Sequence, residues 1–275
     1  MKKKYLKIGA LIVALCLIIG LLLLANALLG NPISKMLATN TSKNYVEETY
    51  KNTDYYVEEV SYSFKDGYYH VFVKSPTSMD TQFSLYINMF GTLTGDTFED
   101  VTSGFVTAQR LDTEYRNLAD TVFASATFPS GADITFGTLE IYPEEYLNNT
   151  DFYDVPSYAL NQTKLEVDKI YDIKELGRQA GHLTVYIKSD QVTIENAAQL
   201  LLAIKEQFDS AGVPFTAIDF NLEYPSKEKT TNEEYIGVAN FLSEDIYEDG
   251  LLERVEKADQ ELKAFYKELD KENEI

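Results

Sequence analysis

The run IGALIVALCLIIGLLLLANALL, residues 8–29, carries no charge over 22 positions, and Asn26 is its only clearly polar side chain. As a helix rising ~1.5 Å per residue it can cross the ~30 Å hydrocarbon layer of a membrane with its backbone hydrogen bonds closed internally. Lys2, Lys3, Lys4 and Lys7 stand just before it. Basic flanks stay on the cytoplasmic side, so residues 1–30 predict a cytoplasmic tip and a single-pass anchor, with the C-terminal bulk outside. A cleaved signal peptide is the competing reading. It needs a basic start, ~7–15 apolar residues and a small-x-small site, and Ala25-Asn26-Ala27 has that form, so cleavage after Ala27 is the alternative. The apolar run outlasts a signal core and continues past Ala27, which favours a retained anchor. Cys16 follows Leu15 inside the run and reads as an apolar side chain, not as a lipidation site.

Outward from the anchor the charge changes sign. All 44 acids follow residue 30, and the four anchor lysines leave 20 basic residues there, a net charge of −24. Such a surface repels nucleic acid and anionic headgroups, so neither is expected as a ligand, and the bilayer is contacted only through residues 8–29. No cysteine follows Cys16, which removes disulfides, a thiol nucleophile and a cysteine metal site outside the membrane. With 20 Tyr and 15 Phe the chain has the apolar material to build a packed core.

The pattern from residue 31 on alternates between two periods. Ile33 to Tyr50 has a rough helical stripe. Val60, Tyr62 and Phe64 then alternate with Ser61 and Ser63, and Asp66-Gly67 leads into Tyr68 to Val73, the signature of a hairpin with a type I′ turn. Phe83, Leu85, Ile87 and Met89 form a third alternating strand. Thr97-Phe98-Glu99-Asp100 has capping-box form, and Phe98, Val101, Phe105, Ala108, Leu111, Tyr115, Leu118 and Val122 mark one face of a single long helix. Ile134 to Tyr142 supplies another strand. The first domain is therefore expected over 31–145, an antiparallel sheet covered by helices.

Between Pro143 and Lys164 periodicity is lost and Asn, Asp, Thr, Tyr and two prolines collect, which predicts a linker at 146–164. A second domain, 165–275, restarts with a helix from about Val167 to Gln179 stopped by Gly181. The strand Leu183 to Ile187 and a helix capped by Thr193 and ended by Gly212 follow. Next come a strand with Ile218, Phe220, Leu222 and Tyr224 inward, a strand from Glu234 to Leu242, and a long terminal helix from Leu251. The order α then βαββα implies three strands with helices on one face. The fold class is α+β, with one transmembrane helix followed by two small domains, each expected as an antiparallel sheet covered by helices.

Two phrases, Tyr68 to Ile87 (YYHVFVKSPTSMDTQFSLYI) and Leu165 to Ile187 (LEVDKIYDIKELGRQAGHLTVYI), together with the anchor resemble the YfjL-like proteins of Gram-positive bacteria. These are small anchored proteins with an N-terminal and a C-terminal YfjL-like domain. The resemblance covers nearly the whole chain and implies architecture and location. It offers no catalytic or binding residues to transfer.

Candidate chemistry is sparse. His70 lies in a strand beside aromatics and His182 just before one, and lone histidines there read as structural; a zinc site needs three or four ligands. Asp96, Glu99 and Asp100 suggest calcium ligands, yet they sit at a helix start, where acids meet the positive end of the dipole. Asp219 and Glu223 share the outward face of one strand, with Asn221 between them. Paired carboxylates can cleave glycosidic bonds, although nothing in the adjoining sequence suggests a cleft. The terminal helix has an apolar seam, Leu251, Leu252, Val255, Ala258, Leu262, Phe265, Tyr266 and Leu269, expected to pack on its own sheet. No catalytic, cofactor or metal residues are assigned. The expected function is a non-enzymatic binding or accessory module at the cell envelope, with a carboxylate-dependent envelope hydrolase as the alternative.

Overall fold

The N-terminal apolar run forms one helix, α1 (Lys2–Leu29), in a computed structural model that describes residues 2–148, 155–225 and 235–273. From Ile8 to Ala25 every side chain on it is exposed, and it is the one described helix long and apolar enough to cross a membrane. Gly30, at φ +69°, ends it; Asn31 caps α2 (Pro32–Thr49) by accepting from the Ser34 N–H at 2.8 Å, with proline opening the helix.

The chain divides into two compact units. One is residues 1–106 with 166–168, and the other is 107–165 with 169–275. In the first, β1 (Tyr56–Tyr62), β2 (Tyr69–Lys74), β3 (Gln82–Ile87) and β4 (Leu93–Asp96) form an antiparallel meander in that order. Its inner face buries Tyr69, Val71, Val73, Phe83, Leu85 and Ile87 beneath α2 and the short α3 (Phe98–Thr102). The hairpin between β1 and β2 is present, but its turn is wider than type I′. Ser63 N–H donates to the Tyr68 carbonyl around a four-residue loop, and only Gly67 takes a positive φ.

Two local expectations fail here for identifiable reasons. Thr97 makes no capping bond, because its hydroxyl accepts from the Ser84 N–H at 3.1 Å and ties α3 to β3 instead. The expected single long helix is interrupted at Gly104 (φ +81°), which separates α3 from α4 (Phe105–Phe123).

In the second unit α4 is followed by β5 (Ala132–Leu139), β6 (Ile141–Tyr142), α5 (Glu144–Leu147), β7 (Leu160–Asn161), α6 (Ile173–Ala180) and β8 (Gly181–Lys188). Then come α7 (Ile194–Ala211), β9 (Ala217–Glu223), β10 (Tyr235–Leu242) and α8 (Leu251–Asn273). The sheet has four strands, ordered β10-β9-β8-β5. This corrects the expected boundary. β5 pairs antiparallel with β8 from Ala132–Ile187 to Leu139–Gly181, so residues 107–145 belong with the C-terminal half and not with the first domain. The 146–164 stretch is no linker either: β7 pairs in parallel with β6, and Gln162 is buried. Asn149 to Asp154 of that stretch lie outside the described residues.

The second sheet is mixed instead of antiparallel, because β8 and β9 run parallel and are joined by α7 as a βαβ crossover. Thr193 caps α7 by accepting from the Asn196 N–H, and Gly212 ends it in the left-handed conformation, both as the sequence predicts. The helix expected from Val167 begins later. Asp168 has φ +62° and its carboxylate accepts from the Ser78 hydroxyl and the Met79 and Asp80 N–H groups, which places 166–168 in the first unit; Asp172 then caps α6.

The core of this unit centres on Tyr115 of α4, fully buried, whose hydroxyl donates to the Pro214 carbonyl at 3.0 Å. Three glycines make room for its ring. A Cβ on Gly137 (β5) would lie 3.3 Å from it, on Gly177 (α6) 2.5 Å, and on Gly181 (β8) 2.5 Å from its hydroxyl. Gly177→Ala would also meet the Pro214 carbonyl at 2.6 Å, so it should destabilise the unit by ~1–3 kcal/mol. Thermal unfolding of the detergent-solubilised chain checks this: Gly177→Ala should melt several degrees lower, while Gly95→Ala, whose Cβ meets nothing within 4 Å, should not. Equal midpoints would refute the packing.

Candidate binding groove

Strand alternation sends Leu183, Val185 and Ile187 of β8 and Ile218, Phe220 and Leu222 of β9 into the core. It therefore turns His182, Thr184 and Tyr186, and Asp219, Asn221 and Glu223, to the opposite face. That face is partly roofed by α8. The helix begins in the core with Leu251 and Val255, and it passes the β10 edge at Gly237, where a Cβ would come 3.0 Å from Leu262. The buried Asp259 accepts from the Gly237 N–H at 3.0 Å, which satisfies an edge-strand donor and pins the helix there. Farther on, Leu262, Phe265 and Tyr266 overhang the sheet, and Phe265 and Tyr266 stay about half exposed. The apolar seam thus packs on its own sheet only over its first part.

Between roof and floor lies a groove of about 510 Å³, lined on the floor by Phe136, Thr138, His182 and Thr184. It adjoins a second cavity of about 300 Å³ lined by Tyr186, Asn221, Glu223 and Tyr235. Asp219, Ala239, Leu262 and Tyr266 line both, so the two form one elongated depression.

His182 is the fixed point of the groove floor. Its Nδ1 lies 2.8 Å from the Tyr158 hydroxyl and 3.4 Å from Glu140 Oε1, and its Nε2 lies 3.2 Å from Asp219 Oδ1. The ring is almost fully buried. Tyr158 donates to Asn240 Oδ1 at 2.9 Å, and the Asn240 N–H donates to Asp219 Oδ1 at 2.7 Å. A β-bulge makes this possible. The β10–β9 register shifts between Val238 and Phe241, and Asn240 takes φ +49°, which turns its backbone N–H toward Asp219. Burial, and then the Glu140 and Asp219 carboxylates, push the Tyr158 hydroxyl well above the ordinary tyrosine value of about 10, so it stays a donor at all physiological pH.

The residues singled out in the sequence fall in different places. Asp219 and Glu223 do face outward, but contrary to expectation they lie in a cleft. Its roof is supplied from some 40 residues farther on, which the local sequence does not disclose. His182 is structural in its burial yet central to the floor. His70 belongs to the first unit, where its Nε2 lies 2.8 Å from Asp66 Oδ2 and its ring meets Tyr86 edge-on. The Tyr68 N–H and then His70 hold the Asp66 carboxyl down to about 2. Asp96 accepts from the Tyr45 hydroxyl at 2.6 Å and from the Phe98 N–H at 2.9 Å, which gives it a role at a helix start. Glu140, Tyr158 and Asn240 were not legible as site residues, because no spacing along the chain joins them.

A raised tyrosine value carries a pH signature. Above about pH 10 the unfolded chain loses the Tyr158 proton while the folded chain keeps it, so stability is present below pH 10 and is lost as pH rises beyond it. Tyr158→Phe should flatten the decline of the urea midpoint between pH 9.5 and about 11. An unchanged slope would mean that Tyr158 is not buried against these carboxylates.

Family comparisons agree with the division of the chain. The model of the YfjL-like N-terminal domain matches residues 2–97, and that of the YfjL-like C-terminal domain matches residues 114–256. No curated protein and no solved structure matches the chain. The second match spans the groove's floor and begins within α4, on the C-terminal side of the unit boundary. The chain belongs to the YfjL-like family.

Proposed function

We propose that this is a membrane-anchored extracytoplasmic binding module, retained on its N-terminal helix, that presents the groove of its C-terminal unit to a ligand at the cell envelope. The observation that carries the binding reading is the elongated groove itself, whose volume falls in the ~300–1,000 Å³ range of ligand sites and whose rim keeps Phe265 and Tyr266 exposed. Retention of the anchor is supported where the helix leaves the membrane. Tyr62 donates to the Ala27 carbonyl at 3.1 Å, Asn31 donates to Asn26 Oδ1 at 2.8 Å, and the Tyr69 hydroxyl bonds both the Asn31 N–H and its carbonyl at 2.9 Å. Cleavage after Ala27 would remove partners that the first unit uses. The basic cluster before the anchor supports an outside location for the bulk.

The hydrolase alternative has one supporting observation, that Asp219 and Glu223 line one depression. Against it, Asp219 Oδ1 is already occupied by the Asn240 N–H and lies close to His182.

Two experiments test the proposal. An N-terminal epitope should remain on the full-length chain, and a membrane-impermeant maleimide should label Ser61→Cys on intact cells while Cys16 stays unlabelled. Loss of the tag or labelling only after lysis would reject the anchored orientation. A photoreactive residue at Tyr266 should capture a discrete adduct in native membranes, one at the exposed Phe90 should not, and Thr184→Arg, which fills the groove floor, should abolish the adduct. Equal capture at Phe90, or capture that survives Thr184→Arg, would reject the groove as the binding surface.

A further inference from the structure

We propose that the groove takes an extended, basic peptide segment with lysine or arginine side chains four residues apart. The inference rests on the groove being the binding surface and adds the chemistry of the occupant. Three observations carry it.

The first is charge. Glu140, Asp219, Glu223 and Glu261 line the two cavities, and no lysine or arginine does among the described residues. A cleft lined by one sign of charge focuses the field and gathers the opposite sign. The nearby cations are already engaged. Lys188, beside Glu223 in the β8–β9 register, pairs with Asp133 at 2.6 Å; Lys263 pairs with Asp259 at 2.8 Å; Lys257 meets Glu261 only loosely, at 3.6 Å with both side chains exposed. Pairs of that last kind contribute little, so an incoming cation can replace Lys257.

The second is spacing. Asp219, Asn221 and Glu223 stand at alternate positions of β9, so at ~3.3 Å per residue the two carboxylates are ~13 Å apart with an amide midway. An extended peptide has the same repeat and can set one basic side chain on the Glu223 carboxylate, another on Asp219 Oδ2, the oxygen that Asn240 and His182 do not engage, and a hydrogen-bonding side chain between them. Asn221 Oδ1 is buried with no hydrogen-bond partner among the described residues, an acceptor that pairing with a donor on the middle side chain would satisfy after a side-chain rotation. A neutral polysaccharide would use the aromatic rim but would leave the carboxylates uncompensated.

The third is the aromatic lining. Tyr186, Tyr235 and Tyr266 line the Glu223 end. Lys263 Nζ lies 5.1 Å from the centroid of the Tyr235 ring, so this rim already pairs a ring with an ammonium group.

The test uses the full chain in nanodiscs of zwitterionic lipid and three probes: acetyl-Lys-Ala-Gln-Ala-Lys-amide, its Glu-for-Lys counterpart, and a neutral N-acetylglucosamine tetramer. Calorimetric titration should show binding of the lysine peptide alone, weakened about tenfold by Glu223→Gln and weakened again as salt shortens the screening length from ~10 to ~3 Å. Circular dichroism and the melting temperature of Glu223→Gln should match the parent. No binding of the lysine peptide, equal binding of the glutamate peptide, or indifference to Glu223→Gln would overturn the inference. If the sugar alone binds and Thr184→Arg abolishes it, the basic occupant is wrong while the groove stands as the surface. A groove that fails the photocapture experiment removes both.

Discussion

The ring of Tyr115 is the contact on which the C-terminal unit depends. It comes from α4, yet it is enclosed by glycines of β5, α6 and β8, and its hydroxyl is satisfied by the carbonyl that follows α7. A tyrosine can be buried only where its hydroxyl finds a partner and its ring finds space. Here the partner and the space come from four separate segments. That requirement draws α4 and β5 to the second half of the chain and makes the β5–β8 pairing possible. The neighbouring bond from the Leu139 N–H to the Asp112 carboxylate, at 2.8 Å, holds the same helix and strand together at the other end of the contact.

The groove follows from that arrangement. Once β5 stands beside β8, Phe136 and Thr138 extend the outward face of the sheet, and His182 comes to lie between the carboxylates of Glu140, just past the end of β5, and of Asp219 on β9. The bulge at Asn240 closes the network, and the Asp259–Gly237 bond sets the height of the α8 roof. Each of these features meets a local demand for hydrogen bonds, and their joint result is an open, acidic, tyrosine-rich depression. In the first unit the corresponding economy is where the apolar helix α1 ends. Gly30 turns the chain where a Cβ would lie 2.6 Å from the Tyr69 hydroxyl, so α1 ends directly against the sheet of the first unit.

Much of the fold was legible residue by residue. The strands at Phe83 to Ile87 and Ile218 to Leu222, the cap at Thr193 and the stop at Gly212 each rest on interactions within a few positions, and such signals survive folding. The departures have other causes. Thr97 has capping-box form, but its hydroxyl was claimed by Ser84 of a neighbouring strand. Gly104 breaks the helix although the apolar stripe continues on both sides of it. Gly181 does end α6 as its C-cap, but with φ −70° instead of the left-handed conformation, and its lack of a Cβ also serves Tyr115. At Thr97 a partner distant in sequence outweighed a local preference, whereas at Gly104 a single left-handed residue breaks an otherwise continuous pattern.

By itself the sequence determined the apolar helix and its basic flank, the acidic character of everything beyond it, the α+β class and the family resemblance. These depend on composition, length and short-range periodicity, which no tertiary contact can alter. Only the tertiary structure decided where the units divide, that β8 and β9 run parallel, and that Asp219 and Glu223 lie in a cleft instead of on an open face. Those outcomes depend on which strand edges pair and which helix covers them. Pairing is decided by burial and hydrogen-bond satisfaction summed over the whole unit, so segments as far apart as Tyr115, Pro214 and Tyr266 must be in place before the site exists.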